Sequence, residues 1–226
     1  MKCANRGTLQ SKIIAILSLI FSIERYEEVM NAYLSGLEQR ASVGHAIKSI
    51  ASVASFFVSR VDASVDKILE QMIQSEKDQK KLSALKRLLG KAGIANSKAA
   101  YQAFERIFSS ARFQKLKSLG AQIQRPLWAS TGTKNPKYSD VLYVEALMGH
   151  ETVNTVPPAT LDAFRDHGVA RSRLKEGLAE ASNVIRQLKD TGIDLGSVTK
   201  ELEHAGVKSF SDSYQKLIEC IRSKMK

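Results

Sequence analysis

Four short apolar or β-branched runs, each with helical sequence on both sides, constrain this chain most. They are "IIAILSLIFS" (13–22), "SVASFFVS" (52–59), "PLWAS" (126–130) and "TVNTV" (152–156). Strand alternating with helix implies parallel pairing and an α/β fold. The runs do not alternate strictly between apolar and polar, as expected of strands whose sheet is covered by helices. Between them, Tyr26, Val29, Met30, Tyr33, Leu34 and Leu37 repeat at helical spacing, and so do Val65, Ile68, Leu69, Met72 and Ile73. The basic stretch Lys77 to Lys91 reads as a helix with one apolar seam. Asn96 is placed to cap a helix through Phe104 and Phe108, and Pro157 and Pro158 to open another. Leu174 to Leu188 marks a long helix. Gly206 ends a short one after Asp194, and Tyr214 to Ile221 marks the last.

Polar residues gather where these strands end. Ser22 and Glu24 follow the first; Ser55, Ser59 and Arg60 close the second; Ser130, Thr133 and Lys134 follow the third; Asn154 lies in the fourth. Parallel α/β folds bind ligands at the C-terminal ends of their strands. Lys134 comes just after Gly132, in a loop rich in backbone donors, and such loops complement a phosphate with N–H groups and a point charge. The competing reading pairs Arg60 with nearby Asp62 or Asp66 and leaves Lys134 a solvated turn residue. The residues alone leave both open.

A net charge of +11 raises the question of nucleic acid. The cations are spread along the chain, so a solvated basic face is expected and no nucleic-acid partner. The basic start followed by the apolar run to Ile23 has the outline of a targeting signal, but no small-residue cleavage site follows. That run is also shorter than the ~20 residues needed to span a bilayer, so no membrane partner is expected. Two cysteines, Cys3 and Cys220, fit a reducing, cytoplasmic setting. His45, His150, His167 and His204 lack metal-ligand spacing, and there is no phosphate-binding or dinucleotide-binding glycine motif.

The stretches "LIFSIERYEEVMNAYLSGLE", "SVASFFVSRVDASVDK", "RPLWASTGTKNPKYSDVLYVEALMGHETVNTVPPATLDAFRDHG" and "TGIDLGSVTKELEHAGVKSFSDSYQKL" resemble the transaldolases, in family order. The likeness is to the longer bacterial subfamily sometimes fused to glucose-6-phosphate isomerase. It implies a (β/α)8 barrel. It also implies transfer of a dihydroxyacetone unit from sedoheptulose 7-phosphate to glyceraldehyde 3-phosphate in the pentose phosphate pathway. The reaction runs through a lysine Schiff base with no metal or organic cofactor: an amine attacks the ketone, and the iminium takes up electrons from the breaking C–C bond. Residue by residue, the resemblance implies that Ser55, Phe57 and Arg60 belong to the sixth strand's pocket, with Arg60 on phosphate. Ser130 matches a seventh-strand substrate contact, and Lys134 stands where the family has an arginine. Ser18 falls where a fifth-strand threonine helps position a catalytic water.

The departures are as informative. Ile16 stands where the fifth strand carries an asparagine, and residues 1–16 resemble nothing in the family. The Schiff-base lysine belongs in a fourth-strand segment like "KIPAT", and neither Lys2 nor Lys12 has that context. The first-strand aspartate and third-strand glutamate have no counterpart either. The expectation is therefore a foreign leader (1–16) followed by strands five to eight of a transaldolase barrel (17–226), such as a disrupted gene would encode. Such a chain binds sugar phosphates but is inactive alone. Its open sheet edges would pair with a missing N-terminal half or with a second copy. A noncatalytic sugar-phosphate-binding half-barrel is the alternative.

Overall fold

The computed structural model describes residues 13–225. Residues 1–12, most of the stretch read as a leader, lie outside it, and so do Lys2, Cys3 and Lys12. The chain starts in β1 (Ile13–Ile20) and α1 (Ile23–Ser42), then β2 (Ile50–Phe57), α2 (Ser59–Ser75), α3 (Gln79–Lys86), α4 (Ala92–Phe108) and α5 (Ala111–Ser118). After these come β3 (Gln124–Ala129), α6 (Leu142–Leu147), β4 (Val153–Asn154), α7 (Pro158–His167), α8 (Leu178–Asp190) and α9 (Leu195–Lys224). The four expected strands form one sheet in the order β1-β2-β3-β4, every pair parallel. Ile13 to Ile16 pair with Ile50 to Val53 without a break, so the sheet shows no boundary at residue 16.

The pleat sends alternate side chains to opposite faces. Ala54, Phe56 and Trp128 face the helices, where they join Tyr26, Met30 and Leu34 of α1 and Ala100 and Phe104 of α4 in one core. The rings of Tyr26 and Phe56 lie 5.7 Å apart edge to face, and those of Phe56 and Trp128 6.2 Å apart. Each such side chain, fully buried, contributes roughly 2–3 kcal/mol. A second core joins Phe21 and the Val61, Val65 and Leu69 stripe of α2 to Leu188 of α8 and Val198 of α9. Ser22 caps α1, its hydroxyl accepting from Arg25 N–H at 3.1 Å.

Several helix boundaries differ from the sequence reading: α3 covers only Gln79–Lys86 of the basic stretch 77–91, and Leu174 precedes α8, which begins at Leu178. Asn96 caps nothing: it sits inside α4, buried, and its Nδ2 donates to the Phe21 carbonyl at 2.7 Å. The N-terminus of α4 is instead satisfied from α2, where Asp62 Oδ1 accepts from Gly93 N–H at 2.7 Å. Gly206 does not end a helix. It lies within α9, where a Cβ would sit 3.2 Å from Leu19 Cδ2. The missing side chain lets the helix cross close over β1, which offsets the ~1 kcal/mol glycine costs in a helix interior.

β1 and β4 are the outer strands of the sheet. Ile16, which pairs with Val53 on the face away from the helices, is 66% exposed. Past Gly206, α9 presents Val207, Phe210, Tyr214, Leu217 and Ile221 along one stripe, with Phe210 59% and Tyr214 61% exposed. Among the described residues this stripe has no partner.

Candidate functional site

The ladder between β2 and β3 runs on past both strands. Val58 N–H donates to the Ala129 carbonyl at 3.0 Å and Ser59 N–H to the Ser130 carbonyl at 3.1 Å. The Ser59 and Ser130 hydroxyls then meet at 2.9 Å. Ser130 is left-handed, with φ 57°, a conformation that is uncommon for serine and is held here by both contacts. On the other side, Thr131 Oγ1 donates to Asn154 Oδ1 at 2.7 Å, and Thr155 N–H reaches the Trp128 carbonyl at 3.1 Å. Hydroxyl and amide groups thus tie three neighbouring strand ends together. On β1, the end nearest the mouth is bulged: its register with β2 shifts between Leu17 and Ile20, and Leu19 has φ 64°.

The loop after β3 folds back on α2. Tyr138 OH donates to Asp66 Oδ2 at 2.7 Å, while Asp66 Oδ1 accepts from Gly90 N–H at 2.9 Å. Gly90 needs its freedom: φ is 69°, and a Cβ would lie 2.8 Å from Tyr138 Cζ. Lys134 of this loop lines a cavity of about 200 Å³ together with Ser59, Asp62, Asp66 and Tyr143.

Asp62 is only 1% exposed, and its second oxygen, Oδ2, has no partner in hydrogen-bonding geometry. Burial pushes its carboxyl up to about 6, against opposing help from the Gly93 and Ala92 N–H groups and Tyr143. Burial likewise raises the Asp66 carboxyl. Burial, and then the neighbouring Asp62 carboxylate, hold the Tyr143 hydroxyl well above its ordinary value.

Ser130 directly follows β3 and meets Ser59, and Lys134 lies further along the loop after it. Ser55 is buried one pleat below, opposite Leu127. Phe57 pairs with Ala129 and stacks on Phe21 at 5.0 Å. Arg60 is exposed in the first turn of α2, its guanidinium 5.2 Å from the Phe57 ring centroid. It makes no ion pair with Asp62 or Asp66, whose oxygens serve Gly93, Gly90 and Tyr138 instead. Arg60 and Lys134 do not share the 200 Å³ cavity. Ser18 is exposed on β1. The sequence reading missed Asp62, Asp66, Tyr138 and Tyr143 as a cluster. The signal was there: two acids four residues apart, alternating with the Val61, Val65 and Leu69 stripe.

Among the described residues no group of histidine, cysteine, aspartate and glutamate side chains could hold a metal ion. No helix there is long and apolar enough to cross a membrane.

A four-stranded parallel sheet with helices, and with hydroxyls and a left-handed serine at its C-terminal strand ends, defines an α/β domain. Comparison with known proteins gives the family. Residues 7–221 match the model for transaldolase/fructose-6-phosphate aldolase, and the chain belongs to that family. It is 48% identical over 210 residues to a transaldolase of Mycolicibacterium smegmatis, covering 92% of this chain and 54% of the relative. A transaldolase of Saccharopolyspora erythraea is 47% identical over 210 residues, covering 92% and 55%. One of Parafrankia sp. is 44% identical over 220 residues, covering 97% and 58%. The chain thus spans little more than half the length of these relatives.

Proposed function

We propose that these residues form strands five to eight of a transaldolase barrel of the longer bacterial subfamily, and that their strand ends grip sugar phosphates in the cytoplasm. Arg60 and Lys134 supply the cations. Ser130 and Ser55 offer hydroxyls, Phe57 an apolar wall, and Ser18 the water-positioning hydroxyl. The observation that carries this reading is the Ser59–Ser130 contact, which pins a strained backbone beside the Lys134 loop at the ligand-binding edge of a parallel sheet. In this reading the dihydroxyacetone transfer of the pentose phosphate pathway needs a Schiff-base lysine that the matched stretch does not contain. The chain then binds substrate without turning it over.

Two features support completion by further strands. The outer strands β1 and β4 have no outer neighbours among the described residues, and a barrel of this kind takes eight strands and about 250 residues. The apolar stripe of α9 and the exposed Ile16 give that additional half something to bury. Titration calorimetry with fructose 6-phosphate tests the grip. Binding is expected for the chain and should weaken at least tenfold in both Arg60→Ala and Lys134→Ala. No binding, or binding indifferent to both substitutions, would sink the reading.

A further inference from the structure

A second, larger cavity lies away from the strand ends. It occupies about 480 Å³ between α4, α8 and the far side of the β3–α6 loop, more than twice the volume of the strand-end cavity. Its walls are mostly aliphatic: Leu89, Ile94 and Ala95 from one side, Leu142 from the start of α6, Ala181 and Val184 from α8. Pockets that take small molecules are of this size and character.

The charged side chains on its wall are three lysines, Lys91, Lys98 and Lys137, against one glutamate, Glu180. Lys91 and Glu180 pair with each other at 3.0 Å. Lys98 and Lys137 remain, so the cavity carries positive charge that no wall carboxylate balances. Lys98 is only 9% exposed, and its ammonium donates to the carbonyls of Arg173 and Glu176. An ammonium has three N–H donors. Two tie down the turn before α8, and among the described residues the third has no partner. Burial lowers the Lys98 pKa, and the carboxylates of Glu176 and Glu180 oppose that effect.

We propose that this cavity is a second binding site, separate from the sugar-phosphate grip, for a small organic anion with an apolar body: a ring or short acyl chain carrying a single acidic group. The body fills the space between Ile94, Ala181 and Val184. The anionic end meets the third Lys98 donor, with Lys137 at the rim. Tyr138 stands between the two sites. It lines both cavities, and its ring rests on Gly90. A ligand in the larger cavity therefore touches the back of the loop that carries Lys134.

The probe for the test is 8-anilinonaphthalene-1-sulfonate, titrated into the full chain by fluorescence. One saturable site of micromolar affinity is expected. Ala181→Phe, which fills the cavity, should weaken it at least tenfold, and Lys98→Met several-fold. The double variant Phe210→Ser and Leu217→Ser on α9 should leave it unchanged. The uncharged analogue N-phenyl-1-naphthylamine should bind at least tenfold more weakly. Hydrogen exchange on the unmodified chain keeps the test open should a cavity variant fail to fold: saturating probe should protect residues 91–98 and 178–184. Absence of that protection, equal affinity for the uncharged analogue, or loss of binding in the α9 variant would overturn the proposal. None of these outcomes depends on whether the strand ends bind sugar phosphates.

Discussion

Replacing Asp62 by asparagine should make the protein's stability respond differently to pH. The buried carboxyl is pushed from its ordinary 3.8 up to about 6, chiefly because burial penalises the anion. It is therefore more readily protonated in the fold than in the unfolded chain. Its contribution is full below pH 3.8 and is lost as pH rises through about 6. At ~1.4 kcal/mol per tenfold change in proton affinity, the whole loss is about 3 kcal/mol. Between about pH 4.5 and about pH 7.5 the same linkage leaves about 2 kcal/mol. Asparagine keeps an oxygen for Gly93 N–H and carries no charge, so Asp62→Asn should gain about 2 kcal/mol on the unmodified protein across that interval. Urea denaturation followed by the fluorescence of Trp128, the chain's single and fully buried tryptophan, reads both proteins at each pH. A gap between them that stays constant across the interval would refute the reasoning, and so would one that moves the other way.

Three further expectations concern single positions, and urea midpoints followed by circular dichroism check all of them. Gly206→Leu should destabilise by about 1–3 kcal/mol, because the helix crosses too close to Leu19 to admit a side chain. Gly36→Ala, on an α1 position with nothing within 4 Å of the added carbon, should stabilise by about 0.5–1 kcal/mol. Trp128→Phe should cost about 2–4 kcal/mol, since it leaves a void beside Phe56 and deprives the Leu147 carbonyl of the indole N–H at 3.0 Å.

The strands were legible because each buried run is short, apolar and fenced by helical sequence. The expected strand 52–59 is Ile50–Phe57 in the fold, and 126–130 is Gln124–Ala129. Helix ends were less legible. Asn96 has the chemistry of a cap, but its amide serves a carbonyl 75 residues away. Gly206 has the look of a stop, but what it answers to is the proximity of Leu19. The strand-end hydroxyls could be read because each sits just past its own strand. The Asp66–Tyr138 contact could not, since 72 residues separate its ends and only the folding back of the β3–α6 loop unites them. For the same reason Arg60 looked like a partner for Asp62 and Asp66, which the fold had already committed elsewhere.

The most direct test of the central claim mixes the purified chain with fructose 6-phosphate, erythrose 4-phosphate and borohydride, then maps every lysine by mass spectrometry. A chain that grips sugar phosphates without the reacting lysine binds fructose 6-phosphate under the same conditions and gains no substrate-dependent mass. A reduced sugar adduct on any of its lysines would contradict the account.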